Sequence, residues 1–84
     1  MLNQVVLVGR LEKLKEKENC FLLFLKINEN EILKINVNKA IGENIKNYCS
    51  VSDVIGVKGK INVLDNKMGI TAEKITFLSS KKEN

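Results

Sequence analysis

A chain of 84 residues can hold one small domain, and its core is marginal unless the sheet closes on itself or a second copy covers it. With 44% hydrophobic and 29% charged residues the balance is that of a folded globular protein, which excludes a disordered one. Net charge is +4 and almost wholly lysine, since Arg10 is the only arginine; this fits a polyanionic partner as well as plain solubility.

The first element is "NQVVLVGRL", residues 3 to 11, rich in valine and leucine and apolar on both faces, as in a strand buried on both sides. "LEKLKEKEN", 11 to 19, is charged without a strong apolar period and is read as a hairpin loop with ragged strand extensions. "CFLLFLKIN", 20 to 28, is a second, nearly continuous apolar strand, and "NEN", 28 to 30, a tight turn. "EILKINV", 31 to 37, alternates, with Leu33, Ile35 and Val37 on one face and Lys34 and Asn36 on the other. The period then lengthens. In "NKAIGENIKNYC", Ile41, Ile45 and Tyr48 fall at i, i+4 and i+7, the stripe of a short helix with Asn38 as its N-cap, which Gly42 weakens slightly.

"VIGVKGKINVL", 54 to 64, alternates again, with Ile55, Val57, Ile61 and Val63 opposite Lys58, Lys60 and Asn62. "DNKMG", 65 to 69, is a short turn, and "ITAEKITFL", 70 to 78, the last strand. There Ile70 and Ala72 differ in parity from Ile75 and Phe77, which a bulge at Glu73-Lys74 reconciles. The order β-β-β-α-β-β, with one helix between the third and fourth strands, is the topology of an all-β, five-stranded OB-fold barrel. One domain over 1–79 and a short polar tail over 80–84 are expected. Gly9 and Gly59 mark sharp bends or close backbone approaches, and Ile41, Ile45 and Tyr48 plug one end of the barrel.

Nothing points to an enzyme. There is no histidine for acid–base work, and "GVKGK" lacks the spacing and context of a phosphate-binding loop. No cofactor, metal or small-molecule substrate is expected. Cys20 and Cys49 lack metal-ligand spacing and read as buried thiols. No apolar run approaches the ~18 residues of a membrane span, and no leader pattern opens the chain, so a cytoplasmic location away from membranes is expected.

With the elements in order, the chain resembles the bacterial single-stranded DNA-binding proteins. "NQVVLVGRL" resembles their first strand, "GENIKNY" the helix after the third, "DVIGVKGKI" the fourth strand and "TAEKITFL" the closing strand. The resemblance implies binding of single-stranded DNA without regard to sequence in replication, repair or recombination, near the nucleoid. It also implies a homodimer or homotetramer joined through the first strand. The family stacks bases on aromatic rings, and here it departs: there is no tryptophan, Asn38 stands where one is common after the third strand, and Glu31-Ile32 precedes that strand in place of an aromatic. The fourth-to-fifth turn is short, and the ending "SSKKEN" carries no acidic tip to recruit enzymes.

Of the aromatic residues, Tyr48 and Phe77 read as core, while Phe21 and Phe24 have opposite parity, so that one of them faces the binding groove. The expected nucleic-acid site is otherwise basic. Lys34, Lys58 and Lys60 are grouped on one sheet face, Lys74 faces outward on the last strand, and Arg10 with the first-loop residues Lys13, Lys15 and Lys17 extends the track. Two other readings remain open: an accessory replication factor of the primosomal type, bridging a helicase and DNA, and an OB-fold subunit whose sheet docks a protein without touching nucleic acid.

Overall fold

The computed structural model describes residues 3–78. The elements are β1 (Gln4–Glu16), β2 (Cys20–Asn28), β3 (Glu31–Asn38), α1 (Lys39–Tyr48), β4 (Val54–Leu64) and β5 (Lys67–Phe77). The strands close into a barrel in the order β1-β2-β3-β5-β4. Neighbours run antiparallel except β3 and β5, which meet in a short parallel ladder at Ile35–Ile70 and Asn36–Thr71. This is the expected OB-fold topology. The tail assigned to 80–84 lies outside the described residues.

Closure depends on β1 pairing with a different neighbour along each half of its length. Its first half, Gln4 to Arg10, pairs with β4, and its second half, Arg10 to Glu16, with β2, so the strand changes partner at Arg10. Gly9 stands beside that switch, where a Cβ would lie 2.5 Å from the Lys26 carbonyl oxygen; only glycine lets the backbones come so close. Inside, Leu23, Leu25, Ile35, Val37, Ile55 and Val57 are fully buried. The bulge in β5 is where the parity slip placed it: Lys58 pairs with Lys74 and Gly59 with Ala72, leaving Glu73 as the extra residue.

The helix closes one end. Asn38 caps it, its Oδ1 accepting the Ile41 N–H at 2.8 Å, and Ile45 is fully buried with Ile41 packed beside it. Gly42 does more than weaken the helix. Its Cα faces the Phe21 ring so closely that a Cβ would collide with it.

Several expectations are corrected. Phe21 is only 1% exposed and belongs to the core, held under the helix at Gly42. Tyr48 and Phe77 are not core residues. Tyr48 is 67% exposed, because the last helical turn carries it past the barrel rim, and there it meets Phe77 with ring centroids 6.3 Å apart. Phe77 pairs with Ile55 at the end of β5, and its ring too lies at the surface. The loop read over 11–19 shrinks, because β1 runs to Glu16 against the apolar β2 and so places Lys13 and Lys15 on a strand. The turn read over 65–69 shrinks to Asp65 and Asn66, both with positive φ (53° and 63°), the two-residue hairpin whose twist suits the strands. Cys20 and Cys49 are free thiols but only half-buried; burial, then the nearby Asp53 charge, pushes the Cys49 thiol pKa up.

Candidate nucleic-acid interface

The outer surface of β1, β2 and β3 forms a basic panel. Since Leu23, Leu25 and Ile35 point inward, their neighbours Leu22, Phe24, Lys26, Ile32, Lys34 and Asn36 point out. The ladder aligns them in three rows: Lys15–Leu22–Asn36, Lys13–Phe24–Lys34 and Arg10–Lys26–Ile32. One irregularity makes the rows possible. Arg10 and Lys13 differ in parity and in a regular strand would face opposite sides. A bulge between Leu11 and Lys13, with Glu12 as the extra residue, turns both outward.

Phe24 is the one aromatic ring on this panel, half-buried, with the Lys13 Nζ 5.6 Å from its centroid. Among the described residues Lys13, Lys15, Lys26 and Lys34 form no ion pair. Arg10 donates from its guanidinium to the Ser52 carbonyl at 3.0 Å, which fixes its stem beside a groove of about 430 Å³ that Gly9, Lys26 and Asn28 also line. The panel's charges are therefore free to meet an anion, without the cost of breaking an existing pair.

Other lysines are committed or placed elsewhere. Lys39 and Lys46 of α1 both reach Glu16, at 3.2 and 3.5 Å, and the Lys39 hydrogen bond, with the Lys46 charge behind it, holds the Glu16 carboxyl below its ordinary value. The expected grouping of Lys34 with Lys58 and Lys60 is not what the barrel builds. β5 stands between β3 and β4, so Lys58 faces out opposite Lys74 and Val6, and Lys60 bridges to Glu73 at 3.4 Å. Lys58 and Lys74 make a second basic pair on the β1–β4–β5 side. Lys26, at the centre of the panel's third row, was absent from the expected site, although its parity with Phe24 was a readable signal.

No protein-family model matches the chain. Single-stranded DNA-binding protein 2 of Staphylococcus aureus (strain COL) is 32% identical, over all of this chain and 78% of that protein. The matched stretch spans 109 positions, longer than this chain's 84 residues, so the relative carries insertions with no counterpart here. Among solved structures, the mitochondrial single-stranded DNA-binding protein Rim1 of S. cerevisiae superposes with a TM-score of 0.78 at 14% identity, over 95% of this chain and 98% of that one. The S. pombe Stn1–Ten1 complex gives 0.79 at 17% identity, over 92% and 59%. An OBody bound to hen egg-white lysozyme gives 0.77 at 14%, over 92% and 94%. These three likenesses establish the barrel and nothing finer.

Proposed function

Because the chain belongs to the single-stranded DNA-binding protein family, we propose that it binds single-stranded DNA without regard to sequence, on the outer panel of β1, β2 and β3. The observation that carries this is the row Lys13–Phe24–Lys34: one accessible ring with an unpaired lysine on each side, on adjacent strands. A base stacks on Phe24, displacing the Lys13 ammonium from the ring, and the freed ammonium pairs with a neighbouring phosphate. Lys15, Lys26, Lys34 and Arg10 neutralise the phosphates on either side. Each stacked base contributes about 1–3 kcal/mol, and with one ring the remainder of the affinity is electrostatic and falls with salt. Lys58 and Lys74 extend the track where a longer strand passes around β5, and Lys60 joins it only by leaving Glu73. The proposed role is that of a binding protein in DNA replication and repair, with no bond made or broken.

The functional unit is a pair of barrels joined through β1. The Asn3 carbonyl accepts the Ile61 N–H, so in this antiparallel ladder the N–H and C=O of Gln4, Val6 and Val8 point away from β4. No strand among the described residues covers that edge, and Val6 is 74% exposed beside it. An open edge with exposed valines is an aggregation hazard unless another strand pairs with it. A second copy, edge to edge, does so and joins two basic panels, which raises affinity by avidity.

The test is fluorescence anisotropy of a labelled oligo-dT against the full chain, with unlabelled duplex as competitor. The proposal expects binding that duplex does not displace, and a Phe24→Ala loss of roughly 1–3 kcal/mol. No binding at low salt would overturn it and favour a protein-docking barrel.

A further inference from the structure

The loop between α1 and β4 holds a residue in a strained conformation. Ser50 to Asp53 form a turn closed by the Asp53 N–H, which donates to the Ser50 carbonyl at 3.0 Å. In return the Ser50 N–H donates to the Asp53 Oδ2 at 2.9 Å, and Asp53 is buried although it carries a carboxylate. Ser52 is third in the turn with a φ of 80°, a left-handed value of the kind that this position of a type II turn takes and that glycine usually supplies. A serine held there costs free energy, and such strain persists where the surroundings over-determine it.

The surroundings here are β1. Past the Arg10–Val54 pair the turn takes over from β4 as the neighbour of that strand. The Leu11 N–H donates to the Asp53 carbonyl at 2.9 Å, and the Leu11 carbonyl accepts the Ser52 N–H at 2.8 Å. On its other edge Leu11 pairs with Leu25 of β2. Leu11 is thus gripped from both sides, immediately before the bulge at Glu12. The Ser52 carbonyl also accepts the Arg10 guanidinium at 3.0 Å, a contact that uses one donor of the fork and leaves the rest for a phosphate. The position of the bulge decides which side chains face out, because a one-residue shift of phase exchanges the faces of a strand. A bulge moved toward the N-terminus would turn Arg10 inward, and one moved the other way would turn Lys13 inward.

We infer that the Ser50–Asp53 turn positions the phosphate contacts of the panel. By holding Leu11 it fixes the bulge at Glu12, so that Arg10 and Lys13 face the same side. Through the Ser52 carbonyl it also keeps the Arg10 guanidinium at the groove that Lys26 shares. Ser52 and Asp53 are positioning residues: they act through Arg10 and Lys13, and the turn itself carries no basic side chain. The inference rests on the single-strand-binding reading above and adds to it a loop that lies outside the panel.

Ser52 is exposed and outside the core, so its side chain can be changed without disturbing the packing. A β-branched side chain is a poor fit to a φ of 80°, whereas glycine suits it. In the full chain, Ser52→Val is expected to keep a cooperative melt but to make the slope of log K against log salt for oligo-dT shallower by about 0.7 to 1.4, the loss of one or two phosphate contacts. Ser52→Gly, the conservative exchange, retains the wild-type slope. Added to Arg10→Ala with Lys13→Ala, Ser52→Val should change the slope no further, an outcome that a general loss of stability would not produce. A folded Ser52→Val protein with the wild-type slope would overturn the inference, as would a loss of slope that persists in full in the Arg10→Ala, Lys13→Ala background. Should Ser52→Val not fold, Ser50→Pro removes the N–H that Asp53 accepts, after a Cys49 whose extended backbone (φ −121°, ψ 150°) suits a following proline; the same loss of slope is expected, and a wild-type slope contradicts it. If the wild-type chain itself fails to bind oligo-dT, the single-strand-binding reading fails, and the positioning role with it.

Discussion

Gly42 and Phe21 show how one side chain's absence sets another's place. A Cβ at position 42 would strike the Phe21 ring, so Gly42→Ala forces the helix off the barrel end or the ring out of its rotamer. We expect a loss of about 1–3 kcal/mol in urea unfolding, although alanine is the better helix former. Glu16 is a smaller case with a definite pH signature. Its pKa is depressed, first by the Lys39 hydrogen bond and then by the Lys46 charge. A depressed carboxyl contributes stability above its ordinary pKa of 4.5 and loses it as pH falls through the folded value. The melting temperature of the wild type should therefore exceed that of Glu16→Gln at pH 7, by a small margin for so exposed a pair, and the difference should vanish in acid.

At the scale of elements, the strands and the helix were legible because each buries an apolar face with its own period. β3 and β4 alternate, α1 repeats at i, i+4 and i+7, and β5 betrays its bulge by a change of parity at Glu73. Two features were not legible. The bulge at Glu12 is marked only by Leu11 and Leu14, which both pack inward although their parities differ, and the charges on either side of them make the segment read as a loop, so Lys13 and Lys15 looked like loop residues. Tyr48 and Phe77 keep the parity of core positions but sit at the ends of their elements, where the barrel has already closed. The free edge of β1 yields a prediction of its own. Val6 has its N–H on the unpaired side, so Val6→Pro removes an edge donor while sparing the ladder to β4. Size-exclusion chromatography with light scattering should find the wild type dimeric and Val6→Pro monomeric and folded; a wild-type monomer would refute the β1 dimer.

For the whole molecule, closure decides the site. A flat reading of the strands groups Lys34 with Lys58 and Lys60, since all three alternate with buried residues. The barrel separates them by inserting β5 between β3 and β4, and it gathers Arg10, Lys13, Lys15, Lys26 and Lys34 around Phe24 instead. That rearrangement depends on strand order, which periodicity does not encode. The basic excess of the composition thereby becomes two separate surfaces. The account assigns most of the binding to one of them.

The salt dependence of oligo-dT affinity separates the two most directly. On single strands each neutralised phosphate contributes about 0.7 to the slope of log K against log salt. For Lys13→Ala with Lys34→Ala, the account predicts a slope shallower by roughly 1.4 and weaker binding at low salt, with Lys58→Ala plus Lys74→Ala changing both less. An unchanged slope in the first pair, with the loss appearing in the second, would contradict the β1–β2–β3 panel as the binding surface.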